Sequence, residues 1–256
     1  MITVHHLENS RSQRVLWLLE ELGLPYQLQR YKRDPKTLLA PPELAQVHPL
    51  GKSPVLTDSL AGKTRNKDET RAADATRDNR NHDHNPRDTI TVAESGAIIE
   101  YLLEAHGDGR LRPPAGTAEG RRFTYWLHFA EGSAMPFLLL KLVFDKVREA
   151  QVPFFIKPIL KAVAANAGKS FIDPNLQRQL AFMESEIASR PWFAGQEFSA
   201  ADVQMSYPVE AAEARFSSGK GLKDSHPSLA DWLQRIHARA AYRRALEVGG
   251  PYSVVP

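Results

Sequence analysis

The chain has 256 residues, 42% hydrophobic and 25% charged, with 33 Lys and Arg set against 30 Asp and Glu. That is the balance of an ordinary globular chain with room for one large or two smaller domains, and its basic residues are interspersed rather than gathered into the face that nucleic-acid binding needs. The absence of cysteine excludes disulfides, catalysis by a protein thiolate and thiolate metal sites.

The N-terminus, MITVHHLENSRSQR, turns polar after a very short apolar segment and does not read as a signal peptide. ITVHHL predicts a strand, residues 13–22 a helix stopped at Gly23, and PYQLQRY a second strand. DPKTLLAPPELAQVHP reads as short helical or irregular structure broken by prolines. SPVLTD and TITV predict two more strands, and ESGAIIEYLLEAHG a helix ending at Gly107. This order predicts a small mixed sheet with helices packed on it.

Between the last two strands, residues 61–88 contain no Leu, Ile, Val, Met, Phe, Trp or Tyr. Such a segment has nothing to bury against its ordering entropy and is expected to be a flexible insertion in a hairpin. Its triplet His82, Asp83, His84 has no further ligand pattern around it, and no metal site is expected. After the Pro/Gly-rich RLRPPAGTAEG the pattern becomes helical to the end: RRFTYWLHFAEG, PFLLLKLVFDKVREA, PNLQRQLAFMESEIAS, AADVQMSYPVEAAEARF and SLADWLQRIHARAAYRRAL. The expected organisation is a mixed domain over 1–106, a linker over 107–120 and an all-helical domain over 121–256. MPFLLLKLVF and VPFFIKPILKAV are interrupted by lysine or proline and read as too short to span a bilayer, so a cytoplasmic protein without a transmembrane segment is expected.

Three motifs carry chemistry together. The first is the strand-to-helix turn NSRS, where Ser10 and Ser12 stand at a helix start and either hydroxyl has the place of a cap. In the second, HPLGKSPVL, Pro54 enters a strand. A cis Ser53-Pro54 bond there would leave the Ser53 backbone free to pair with an extended peptide. In the third, AESGAII, Glu94 and Ser95 open a helix. A helix N-terminus with a hydroxyl suits a carboxylate, and Glu94 beside it suits an ammonium group. The three describe a receptor for a short peptide with a free α-amino acid end.

This arrangement resembles the glutathione transferase family over nearly the whole chain apart from the insertion. The resemblance rests on PLGKSPVL, AESGAIIEYL, the capping sequence FSAADVQMS, the N-terminal NSRSQR and LWLLEELG, and the GGPY tail. It implies a thioredoxin-like N-terminal domain, an all-helical C-terminal domain, glutathione as co-substrate and a homodimer. It also implies that Ser53 pairs with the cysteinyl backbone, Glu94 and Ser95 hold the γ-glutamyl end, and Lys52 meets the glycyl carboxylate. For the thiol it offers two residues: counting back from Arg14, one branch of the family places its active serine at Ser10 and another at Asn9. No tyrosine stands in the turn. A thiol of pKa near ~8.5 needs a donor to its sulfur, not a base. The expectation is that Ser10 faces the sulfur and Ser12 caps the helix, with Asn9 the alternative.

Trp17, Trp126 and Phe129 are expected in the core, and one of His5 and His6 buried with the other exposed. Phe137, Leu138 and Phe144 are candidates for an apolar pocket that takes a small hydrophobic electrophile. The function that follows is a glutathione transferase acting on electrophilic or peroxide substrates; the alternative is a catalytically weak glutathione-binding or regulatory protein of the same fold.

Overall fold

Alternating patterns in the first half and helical patterns in the second become, in a computed structural model that describes residues 1–59, 89–216 and 221–253, one four-stranded sheet and a helical layer. The strands are β1 (Ile2–Leu7), β2 (Tyr26–Tyr31), β3 (Val55–Ser59) and β4 (Thr89–Ala93), in the order β2-β1-β3-β4. β1 runs parallel to β2 and antiparallel to β3, and β3 antiparallel to β4, with Ser59 opposite Thr89. With helices α1 (Ser12–Leu22) and α3 (Ser95–His106) against it, and the one-turn α2 (Leu44–Val47) between β2 and β3, this is the thioredoxin-like arrangement expected. The insertion 61–88, with its His82–Asp83–His84 triplet, lies outside the described residues.

Helix α1 ends as its sequence requires. Gly23 takes φ +63°, its N–H bonds Glu20 O, and Leu24 N–H bonds Leu19 O, the paired bonds of a glycine C-terminal cap. Residues 12–19 of α1 are buried on every side, Ser12, Gln13 and Arg14 among them. The helix lies between the sheet and two helices of the second half, α8 (Ala200–Phe216) and α10 (Ala240–Gly249).

The second half has helices and no strand among its described residues. Helix α4 (Ala118–Phe129) begins three residues before the expected Arg121, because Thr117 Oγ1 accepts the Gly120 N–H at 2.9 Å and caps it. It continues through a π-helical turn, Ala130–Ala134, into α5 (Met135–Arg148). By length and composition this run from Ala118 to Arg148, which contains MPFLLLKLVF, passes as a membrane span, although that stretch alone is too short. One side of it, with Phe123, Trp126 and Leu138, is packed in the helical core.

A helix absent from the sequence reading, α6 (Lys157–Ala167), starts with Pro158 in its first turn, where the missing N–H costs nothing. A second π-helical turn, Gly168–Ile172, leads into α7 (Asp173–Ala188). The last expected helix is two: α9 (Pro227–His237) and α10. The break falls where Arg239 becomes extended and its guanidinium binds both carboxylate oxygens of Glu21 on α1, at 2.5 and 2.9 Å. A tertiary contact there overrides local helix propensity.

At the start of α8, Asp202 accepts the Ser199 N–H at 3.0 Å, the reach-back bond of a capping box, and also takes Phe193 N–H and Trp232 Nε1–H. Complete burial outweighs these bonds and pushes its carboxyl up to about 6. Trp17, Trp126 and Phe129 are core residues, as expected.

Candidate functional site

The sheet edge, the strand-to-helix turn and the start of α3 converge on a cleft of about 170 Å³ whose walls include Arg11, Lys52, Ser53, Pro54, Glu94 and Ser95. The Ser53-Pro54 bond is cis. The Ser53 hydroxyl donates to His5 O at 3.1 Å and accepts the Leu7 N–H at 3.3 Å, which ties the start of β3 to β1. Its own backbone N–H and C=O have no backbone partner among the described residues. Glu94 precedes α3 with φ +72°, a left-handed conformation rare for glutamate, and its side chain is exposed. Strain of this kind marks ligand-binding positions more often than ordinary loops.

Ser95 is buried and already engaged. Its hydroxyl accepts from Arg14 Nη2 at 3.0 Å and lies 3.4 Å from Glu131 Oε1. Arg14 Nη2 also bonds Glu131 Oε1 at 2.6 Å, and Arg11 Nη1 lies 3.2 Å from Glu131 Oε2. Glu131 sits on the π-helical turn after α4, a distortion that frequently marks functional positions. Burial works against its ionised form, but the charges of Arg14 and Arg11 and the bonds from Arg14 and Ser95 hold its carboxyl below the usual range. The Tyr207 ring of α8 lies under both guanidiniums, 5.8 Å from that of Arg11 and 5.4 Å from that of Arg14.

Arg11, Arg14 and Glu131 were not singled out from the sequence. Arg14 did carry a signal: it shares the helical stripe of Leu18 and Leu22, and a charge on a buried stripe needs a partner. Glu131 carried none, since its place depends on the π-turn.

The turn itself departs from expectation at Ser12. The hydroxyl does not cap α1; it is buried and reaches back to β1, 2.8 Å from His6 Nδ1 and 3.3 Å from Leu7 O. Ser10 has the role expected of Ser12 instead: its Oγ accepts the Ser12 N–H at 3.2 Å, and it lies 2.7 Å from Ser12 Oγ. Asn9 takes φ +52°, and its Oδ1 accepts the Ser253 N–H of the C-terminal tail at 2.7 Å.

Both histidines of β1 are buried, against the expectation of one in and one out. His5 lies between Tyr31 OH and Thr57 Oγ1 on the neighbouring strands, and His6 between Ser12 and Gly249 O. Burial lowers the pKa of both, that of His6 to about 4.

Of the three candidates for the apolar pocket, Leu138 is removed by its burial. Leu138 belongs to the helical core, and Phe137 packs on Phe171, 5.6 Å between ring centroids. Phe144 packs partly buried against the same core. Glu131 and Tyr207 are side chains of the helical layer that meet Arg11 at the turn.

The family described as Glutathione S-transferase, N-terminal domain matches residues 10–105, and Glutathione S-transferase, C-terminal domain matches residues 162–235. Glutathione S-transferase 3 of Schizosaccharomyces pombe is 31% identical over 247 residues, covering 96% of this chain and 87% of that protein. The crystal structure of a glutathione S-transferase from Actinobacillus pleuropneumoniae is similar with a TM-score of 0.69 and 28% identity, covering 97% of this chain and 93% of that one. The glutathione transferase URE2P6 of Phanerochaete chrysosporium, solved in complex with oxidized glutathione, has a TM-score of 0.67 at 22% identity, covering 97% of this chain and 96% of that one. Two domain matches in the expected order, and a relative of this similarity along almost the whole chain, place it in the glutathione S-transferase family.

Proposed function

We propose that this chain is a glutathione transferase that binds glutathione in the cleft between β3 and α3 and activates its thiol at the Asn9–Ser10 turn. Glutathione is the co-substrate. The observation that carries the reading is the convergence of Ser53, Glu94 and Ser95 on one cleft, with the Ser53 backbone without a backbone partner among the described residues and Glu94 exposed in a left-handed conformation. The Ser53 backbone pairs with the cysteinyl residue. Glu94 takes the γ-glutamyl ammonium, the start of α3 with Ser95 takes its carboxylate, and Lys52 takes the glycyl carboxylate. Residues 1–106 are then the glutathione-binding unit and 121–256 the helical unit of a homodimer.

In the reaction, the bound thiol loses its proton to solvent and the thiolate pair forms a bond to an electrophilic carbon while the leaving group departs with its own pair. With a hydroperoxide the thiolate attacks oxygen, releasing the alcohol, and a second glutathione completes the disulfide and releases water. Parallel assays with a chromogenic electrophile and a hydroperoxide test the reading, and turnover of either supports it. Glutathione binding without turnover of both substrates would favour the catalytically weak, regulatory alternative.

A further inference from the structure

We propose that the C-terminal tail is part of the thiol-activating turn: tied to Asn9 at Ser253 and to Glu210 at Tyr252, it holds Asn9 so that the asparagine amide, and not the Ser10 hydroxyl, donates to the glutathione sulfur. The inference rests on the glutathione reading above and decides between the two residues it leaves open.

The protons of the turn can be counted. His6 Nε2 lies 3.1 Å from Gly249 O, and a carbonyl only accepts, so this nitrogen carries the hydrogen. The ring is neutral near pH 7, since burial lowers its pKa to about 4, and its Nδ1 is therefore an acceptor. Ser12 faces only acceptors on this side, that nitrogen at 2.8 Å and Leu7 O at 3.3 Å, and gives its single proton here. The 2.7 Å contact between Ser12 Oγ and Ser10 Oγ then needs its proton from Ser10. Ser53 offers no other arrangement, because its own proton goes to His5 O and it stands 3.4 Å from Ser10. The Ser10 proton is committed inward along Ser10–Ser12–His6, and its oxygen also accepts the Ser12 N–H. Ser10 has no proton left for a sulfur.

Asn9 has the opposite arrangement. Its Oδ1 accepts the Ser253 N–H, which fixes the amide orientation, because a backbone N–H only donates. The two hydrogens of Nδ2 remain as its donors. The backbone of the turn is clamped from the other side by Arg33, which donates to Asn9 O and Glu8 O, both at 3.2 Å. The left-handed φ of +52° suits asparagine. The tail that supplies Ser253 turns at Gly250, φ +88°, and is anchored by Tyr252 OH on Glu210 Oε2 at 2.7 Å. Glu210 is buried, and its other oxygen takes Tyr242 OH at 2.7 Å and His237 Nε2 at 3.0 Å. Tyr252 and Glu210 are thus positioning residues that act through Asn9.

The test is titration of bound glutathione by its thiolate ultraviolet absorbance, with calorimetric affinity for S-methylglutathione measured beside it. Asn9→Asp keeps the acceptor for Ser253 and removes the donor. It should raise the bound thiol pKa by about one unit or more and leave S-methylglutathione affinity within a few-fold. Asn9→Gly, whose backbone suits the turn, removes the donor without the charge that in Asn9→Asp raises a thiol pKa by itself, and must show the rise as well. Tyr252→Phe should raise the thiol pKa by a smaller amount with the same unchanged affinity, a shift that mere loss of stability does not produce. Ser10→Ala should leave the thiol pKa where it is. A rise in Ser10→Ala with none in Asn9→Asp or Asn9→Gly overturns the proposal, as does a Tyr252→Phe thiol with the wild-type pKa. Failure of the wild-type protein to bind S-methylglutathione overturns the glutathione reading as well, so the two failures are distinct.

Discussion

Arg14 donates to the carbonyl of Gln204 at 2.7 Å, and Gln204 is the residue of α8 whose carbonyl loses its helical donor to Pro208, four positions on. A helix defect in one half of the chain and a buried charge in the other satisfy each other. The second nitrogen of the same guanidinium reaches Ser95 and Glu131, so one side chain joins the start of α3, the π-turn and α8. The candidate glutathione cleft borders on this junction.

Removing Arg14 should therefore cost more than a surface charge would. Arg14→Met leaves Glu131 half-buried with only Arg11 for a charge partner and the Gln204 carbonyl without a donor. A loss of about 3–5 kcal/mol is expected, read from urea midpoints. Pro208→Ala restores an N–H to that carbonyl, so Arg14→Met should cost measurably less in the Pro208→Ala background. Equal costs in the two backgrounds would show that the Gln204 bond contributes nothing to the pair.

The acid limb of stability should carry the signature of His6. Burial and the Arg30 charge push its pKa down to about 4 against the bond to Gly249 O, from an ordinary value of 6.5. The unfolded chain binds a proton below 6.5 that the folded chain refuses until about 4, so stability is intact above the first value and falls as pH drops through that window. The full loss is about 3 kcal/mol. His6→Asn should flatten the fall in urea midpoint between neutral pH and the acid end of the window. An unchanged slope would mean that His6 takes up its proton without penalty.

Much of the N-terminal half was legible because its elements obey local rules: β2 largely alternates, and Gly23 and Gly107 stop helices at the expected places. The helix α6 was hidden by Pro158, which reads as an interruption and sits in its first turn. The break at Arg239 was hidden because its cause, Glu21, lies on α1, 218 residues away in sequence. In the site, Ser53, Glu94 and Ser95 were legible as backbone devices at a strand start and a helix start. Ser10 and not Ser12 meets the first N–H of α1, because a helix start nominates any nearby hydroxyl and only His6, packed behind the turn, draws Ser12 away. Arg11 and Glu131 depend on how α4 continues through its π-turn, which no local pattern records.

Residues 61–88 should be dispensable for folding. Ser59 and Thr89 stand opposite each other across β3 and β4, so a short connection joins the strands without distortion. Loop length itself costs little, roughly 0.6 kcal/mol for each doubling. Replacement by Asn-Gly should keep or slightly raise the melting temperature. Loss of the folding transition in that variant would show that the segment contributes structure.

The central claim, that glutathione is held at Glu94 beside the start of α3, is tested most directly by calorimetric titration of glutathione into the wild-type protein and Glu94→Gln. The substitution keeps side-chain size and removes the charge that faces the γ-glutamyl ammonium, a bond worth about 1.5–3 kcal/mol. The account predicts saturable binding to the wild type and affinity weaker by roughly ten-fold or more in the variant. No binding to the wild type, or equal affinity in the two proteins, would contradict it.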